Sequence, residues 1–149
     1  MSYVQNLLHI VFRTYASQNT LPTDDRVKIL YQYIWGVIKN KGGYLYRINS
    51  MSDHVHILAT LPSNVSLSDF MQIIKGSSSK YLKEKEEFSS FKGWGSRYAA
   101  ISYNLKDKDI IIKYIKNQQE HHKTVTFYDE FVSMVKEMGI DFDDKDWNR

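Results

Sequence analysis

The sequence contains no cysteine. That absence excludes a disulfide framework, a thiolate metal site and a thiol nucleophile, and it fits a reducing compartment, so the cytoplasm is the expected location. Proline is nearly absent as well: Pro22 and Pro62 are the only two, and both read as segment boundaries. No apolar run approaches the roughly 18 residues that a membrane span requires. The densest run, Leu7 to Phe12, is strand length and includes His9. There is no signal-peptide pattern, internal repeat or low-complexity stretch, so residues 1–149 are expected to form a single domain.

What is present is an ordinary globular composition, 42% hydrophobic and 25% charged, long enough for one real core. Aromatics make up 14%, including eleven Tyr, which supply core and offer stacking surface for bases. The charge is uneven. Residues 127–149 hold seven acids against three bases, a net −4, so a total of +3 leaves +7 on the rest. A basic body with an acidic end suits a polyanionic partner, although by itself this is weak evidence.

Hydrophobic periodicity predicts a strand over 3–14 and then a helix capped by Thr23, with Val27, Leu30, Ile34 and Ile38 on one stripe and a stop at Gly42-Gly43. Strands are expected over 44–49 and 54–61. Ser66 and Asp69 have capping-box spacing ahead of a second helix bearing Phe70, Ile74 and Leu82. A fourth strand runs from Arg97 to Asn104, and a helix from Asp107 or Lys108 continues through Gln119. A last helix spans about Tyr128 to Met138, and the acidic end from about 140 is expected to fray. The order β-α-β-β-α-β with C-terminal helices is the α+β, ferredoxin-like arrangement: an antiparallel four-stranded sheet with helices on one face. The opposite face is then expected to be bare, facing solvent, a ligand or another subunit.

Two short motifs could carry chemistry. In His54-Val55-His56 the two imidazoles are two apart on a strand, so they share a face about 7 Å apart and can lean onto one metal ion. The same spacing also describes two surface histidines, and the motif alone does not choose. Tyr114 and Gln118 stand four apart on a helix and share a face. A Tyr hydroxyl can act as a nucleophile, and a Gln carbonyl suits Mg²⁺ or Mn²⁺; each residue alone also fits an ordinary helix surface. Together, two His and a Gln would leave a divalent ion with its full charge, suited to gripping a phosphate beside the phenol.

Asp53-His54-Val55-His56-Ile57-Leu58, His9 to Thr14, Phe70 to Ser79, Tyr114 to His122 and Phe127 to Ile140 occur together and in order. In these the chain resembles the single-tyrosine HUH transposases of small bacterial insertion sequences. The resemblance implies a metal-dependent enzyme that nicks and rejoins single-stranded DNA at hairpin-bearing ends through a 5′-phosphotyrosine. It implies Tyr114 as nucleophile, His54, His56 and Gln118 as ligands of Mg²⁺ or Mn²⁺, and a homodimer in which the tyrosine helix can serve the partner's site. The chain departs from the pattern at Asn49-Ser50, where members carry Gly-Gly, and at Trp94-Gly95-Ser96-Arg97-Tyr98. Neither departure touches the motif residues.

Candidate contacts to the DNA backbone are Lys75, Lys80, Lys83, Arg97 and Lys113, all equally readable as solvated surface. Trp94 either stacks on a base or plugs a core edge. His121 and His122 are either solvated helix-end residues or neighbours of the metal. His9 is expected to pack near the sheet. A second functional reading is a domesticated or inactive relative that binds structured single-stranded nucleic acid without cutting it. A third, an unrelated ferredoxin-like domain, requires both motifs to be accidents.

Overall fold

The structure is a computed structural model describing residues 2–147. Strands β1 (Leu7–Thr14), β2 (Tyr44–Ser50), β3 (His54–Thr60) and β4 (Trp94–Tyr103) form one antiparallel sheet in the order β2-β3-β1-β4. Helices α1 (Lys28–Asn40) and α2 (Leu67–Lys83) complete the β-α-β-β-α-β order. After β4 come α3 (Lys108–Lys116), α4 (Gln118–His121), α5 (Phe127–Glu137) and α6 (Asp144–Trp147). The ferredoxin-like architecture expected from the pattern is the one observed.

Local sequence explains most element ends. Asp24, rather than Thr23, caps the turn that leads into α1, accepting a hydrogen bond from the Arg26 amide at 3.0 Å. Leu30, Ile34 and Ile38 then form the fully buried stripe of α1. At Gly43 the chain passes so close to β3 that a Cβ would lie 2.6 Å from the Thr60 carbonyl oxygen, so only glycine fits. Ser66 caps α2 by accepting from the Asp69 amide at 3.1 Å. Thr126 caps α5 in the same way through Asp129 at 3.2 Å.

Alternation along the strands sorts the sheet into two faces. Leu8, Ile10 and Phe12 of β1 join Val55, Ile57 and Ala59 of β3, and pack with Leu30, Ile34, Phe70, Ile74 and Leu82 of α1 and α2. Leu7, His9 and Val11, with His54, His56 and Leu58, point the other way.

That other face is not bare, contrary to the pattern reading. Leu7 and Leu58 pack with Ile111 and Ile115 of α3, and Val11 packs with Phe127 and Met134 of α5. Every residue of β1 is buried as a result. The clue lies in the apolar Leu7 and Val11 on the supposedly open set: a strand apolar on both faces is covered on both.

One further expectation changes. The helix carrying Tyr114 does not run through Gln119; Asn117 (φ −93°, ψ 18°) leaves helical geometry, and α4 restarts at Gln118. α6 returns to the sheet, where the Trp147 ring lies 5.5 Å from Phe127 and 5.6 Å from Phe131. Arg13 stacks over that ring at 4.4 Å and donates to the Trp147 carbonyl. Among the described residues no helix is long and apolar enough to cross a membrane.

Candidate active site

β3 presents His54 and His56 on the face covered by α3 and α5, and both are fully buried there. An imidazole in such a place needs partners for both nitrogens. His54 Nδ1 donates to Asp53 Oδ1 at 2.7 Å. His56 Nδ1 shares a 2.8 Å hydrogen bond with His9 Nε2. The segment after α4 adds a third ring, His122, whose Nδ1 donates to the Val125 carbonyl at 2.8 Å.

With each Nδ1 engaged, the three Nε2 atoms are left to converge, and what they converge on is Glu130 of α5. Its Oε1 lies 3.7 Å from His54 Nε2, 3.1 Å from His56 Nε2 and 3.3 Å from His122 Nε2. One ligand atom from each of His54, His56, His122 and Glu130 falls within 4.8 Å of the others. Gln118 closes the group. Its Oε1 is 3.3 Å from His54 Nε2 and 2.8 Å from His122 Nε2, and its Nε2 donates to Glu130 Oε2 at 3.0 Å.

Tyr114 reaches the same carboxylate from α3, its hydroxyl donating to Glu130 Oε2. The His54 ring is fixed from the other side by Phe127, the first residue of α5, which stacks flat upon it. A cleft of about 670 Å³ opens onto the cluster past Tyr114, His9, His121, Tyr103 and Glu130.

The electrostatics follow mainly from burial and from the buried Glu130 carboxylate. Burial would raise the Glu130 pKa, but hydrogen bonds from His122 and His56 outweigh it and hold the carboxyl well below the usual range. Burial lowers His56 to about 4 against the pull of Glu130, and lowers His9 to about 3 with help from the adjacent His56. Burial would lower His122 too, but there the Glu130 hydrogen bond and charge overcome it and raise the pKa. Burial and the Glu130 contact push the Tyr114 phenol up, so it holds its proton at rest.

Such a donor set fits a divalent cation. Imidazoles whose second nitrogen is held by a carboxylate or carbonyl are the usual arrangement around a bound metal. A Glu oxygen and a Gln carbonyl are acceptable further ligands.

Of the residues singled out in the sequence, the structure brings Tyr114, His54, His56 and Gln118 together. It does not bring the lysines of α2 to them. Lys75, Lys80 and Lys83 stand on the helical layer beyond the opposite face of the sheet, and Lys75 is partly buried, which lowers its pKa. Lys113 is exposed one residue before Tyr114. Arg97 lies on the site's face but pairs with Asp146 at 3.0 Å. Trp94 stands at the core edge, one of the two placements open to it from the sequence. Its ring packs edge-on against Phe12 and Phe91, each at 4.9 Å, and its indole donates to Ser78 Oγ at 2.9 Å.

Glu130 does not figure among the residues expected from the sequence, where two His and a Gln left the ion its full charge; the structure adds a carboxylate to the cluster. In sequence it looks like an acid placed in a first turn for the helix dipole. Its one distinguishing signal is its position on the buried side of α5, in the stripe with Phe127 and Met134.

The family model described as "Transposase IS200 like" matches residues 2–118. No curated protein matches the sequence significantly. Among solved structures, a REP-associated tyrosine transposase bound to a REP hairpin aligns with a TM-score of 0.62 at 19% identity, covering 84% of this chain and 73% of that one. A candidate transposase from Deinococcus radiodurans R1 aligns with a TM-score of 0.57 at 23% identity, covering 79% of this chain and 95% of that one. At these identities the two structures speak to the fold.

Proposed function

The chain belongs to the IS200-like transposase family, and on that premise we propose that it nicks and rejoins single-stranded DNA at hairpin-bearing ends with Tyr114 as nucleophile. The observation that carries this reading is the meeting of Tyr114, His54, His56 and Gln118 at one buried point beside an open cleft.

In the proposed step the Tyr114 oxygen forms a bond to the scissile phosphorus, and the bond from phosphorus to the 3′ oxygen breaks. The phenolic proton is lost to solvent, because Glu130, held well below the usual carboxylate range, is too weak a base to keep it, and the departing 3′ oxygen takes up a proton from water. The product is a 5′-phosphotyrosine and a free 3′-hydroxyl. Attack by another 3′-hydroxyl reverses the step and joins the strands, with no nucleotide cofactor required. A divalent cation held at His54 and His56 would supply charge to offset the pentavalent phosphorane; the resemblance implies Mg²⁺ or Mn²⁺ there, with Gln118 as third ligand. His9 and Asp53 orient the two imidazoles. Lys113, beside Tyr114, is the best placed of the candidate phosphate contacts.

That the REP-associated relative is bound to a hairpin supports a DNA hairpin as partner for this chain as well. In a homodimer the Tyr114 helix would serve either its own chain's site or the partner's.

The test is a denaturing gel. Purified protein meets labelled single strands tiled across the flanks of its own gene, with Mn²⁺ or Mg²⁺. A metal-dependent covalent adduct, lost in Tyr114→Phe, is the expected result. Hairpin binding with no adduct would instead support the relative that binds without cutting.

A further inference from the structure

The family match ends at residue 118, yet His122 and Glu130, which lie beyond it, each place a ligand atom within 4.8 Å of those of His54 and His56. We propose that His54, His56, His122 and Glu130 form a site for an imidazole-preferring divalent transition metal, and that Glu130 ties this cation to Tyr114 through its second oxygen. The tie to Tyr114 rests on the proposed nicking and joining reading; the metal site does not.

The support is geometric. All three imidazoles spend Nδ1 on a partner and point Nε2 inward: His54 through Asp53, His56 through His9, His122 through Val125. Random burial of three histidines does not orient them alike, whereas ligation at Nε2 requires it. The fourth donor, Glu130 Oε1, sits 3.1 Å to 3.7 Å from all three nitrogens. A cation entering between them would replace contacts to one shared oxygen with bonds from four donors.

The donor types select the ion. Mg²⁺ favours a near-octahedral shell of oxygens and keeps several waters. Three nitrogens and one carboxylate oxygen instead suit Co²⁺ or Zn²⁺, with affinity rising from Mn²⁺ to Co²⁺. The two carboxylate oxygens divide the work. Oε1 faces the Nε2 atoms of His54, His56 and His122, while Oε2 takes the Tyr114 hydroxyl and the Gln118 amide and lies 3.1 Å from His121 Nε2. A ligand that also holds the nucleophile fixes the distance between cation and attacking oxygen, which makes Glu130 a positioning residue for Tyr114.

The experiment is calorimetric titration of metal-free protein with Co²⁺, Mn²⁺ and Mg²⁺, for wild type and Glu130→Gln, with matched circular dichroism spectra as the folding control. We expect Co²⁺ to bind most tightly and Mg²⁺ least, and E130Q to weaken Co²⁺ binding by about 10- to 100-fold. Equal affinity for Mg²⁺ and Co²⁺, or an unchanged affinity in E130Q, overturns the site.

If E130Q fails to fold, anomalous scattering from a Co²⁺-loaded wild-type crystal decides. A peak about 2.0–2.2 Å from Glu130 Oε1 and the three Nε2 atoms is expected. A peak held by His54, His56 and Gln118 without Glu130 overturns the proposal.

The tie to Tyr114 is read separately, as the adduct rate of E130Q at saturating Mn²⁺. A rate still reduced about tenfold supports it, and full restoration by metal removes it. Absence of adducts in wild type would count against the nicking reading and, with it, the tie, while the titration still judges the metal site.

Discussion

The rings of His54 and Phe127 lie face to face, centroids 3.7 Å apart and planes within 2°. Phe127 opens α5 three residues before Glu130, so one contact both flattens a candidate metal ligand and docks the helix that brings the carboxylate. Phe127 also touches Phe131 and Trp147.

Phe127→Ala is therefore expected to act twice. It removes a buried aromatic, a loss of about 3–5 kcal/mol of folding stability by analogy with other cores. It also frees the His54 ring, so metal affinity should fall further than in a variant of equal stability loss elsewhere. Urea unfolding and metal titration of the folded protein measure the two effects.

Trp94→Phe tests the core-edge placement. The variant keeps most of the packing on Phe12 and Phe91 but loses the hydrogen bond to Ser78. Stability should drop by about 1 kcal/mol, with hairpin affinity unchanged in a gel-shift assay. A loss of hairpin affinity without loss of stability would return Trp94 to a base-stacking role.

Acid should destabilise the fold through His9 and His56. Their folded pKa values, about 3 and about 4, lie below the ordinary value of 6.5. The unfolded chain thus binds protons that the folded one refuses. Stability is fully present above pH 6.5 and declines as pH falls towards 4, by up to about 1.4 kcal/mol per pH unit for each group. Glu130, whose pKa is depressed, adds a loss only once the pH falls below the ordinary carboxylate range. His122 has the opposite sign: its raised pKa contributes below pH 6.5 and fades as the pH rises through the folded value. Urea midpoints measured from pH 8 to 5 check this, and a flat profile between 6.5 and 5 would contradict the burial of both rings.

Ser66→Ala separates the two sides of the sheet. It removes the α2 cap on the face away from Tyr114 and should cost about 1 kcal/mol of stability. Metal binding and any adduct formation should match wild type at temperatures where the variant stays folded.

What was legible in advance divides along physical lines. Short-range features were: the capping Ser66, the Leu30-Ile34-Ile38 stripe, the paired strands around 50–53 and the same-face placement of His54 and His56 all depend on neighbours within a turn or a strand. The motif pair His54-x-His56 and Tyr114 with Gln118 was visible because each is a local spacing, and the family resemblance joined them. The break at Asn117 was not legible, since helical periodicity continues smoothly past it into Gln118.

The covering of the second sheet face, the return of Trp147 and the arrival of Glu130 came from long-range packing alone. Glu130 meets His56 across 74 residues of chain, and no periodicity relates positions so distant. What brings about that meeting is the burial of Phe127 and Met134 against Val11, which rotates α5 so that the residue between them in the stripe points inward. Local pattern along the chain was enough to set which elements form and which chemistry β3 can offer. That an acid from a C-terminal helix completes the site follows instead from the packing of apolar surface on both faces of β1.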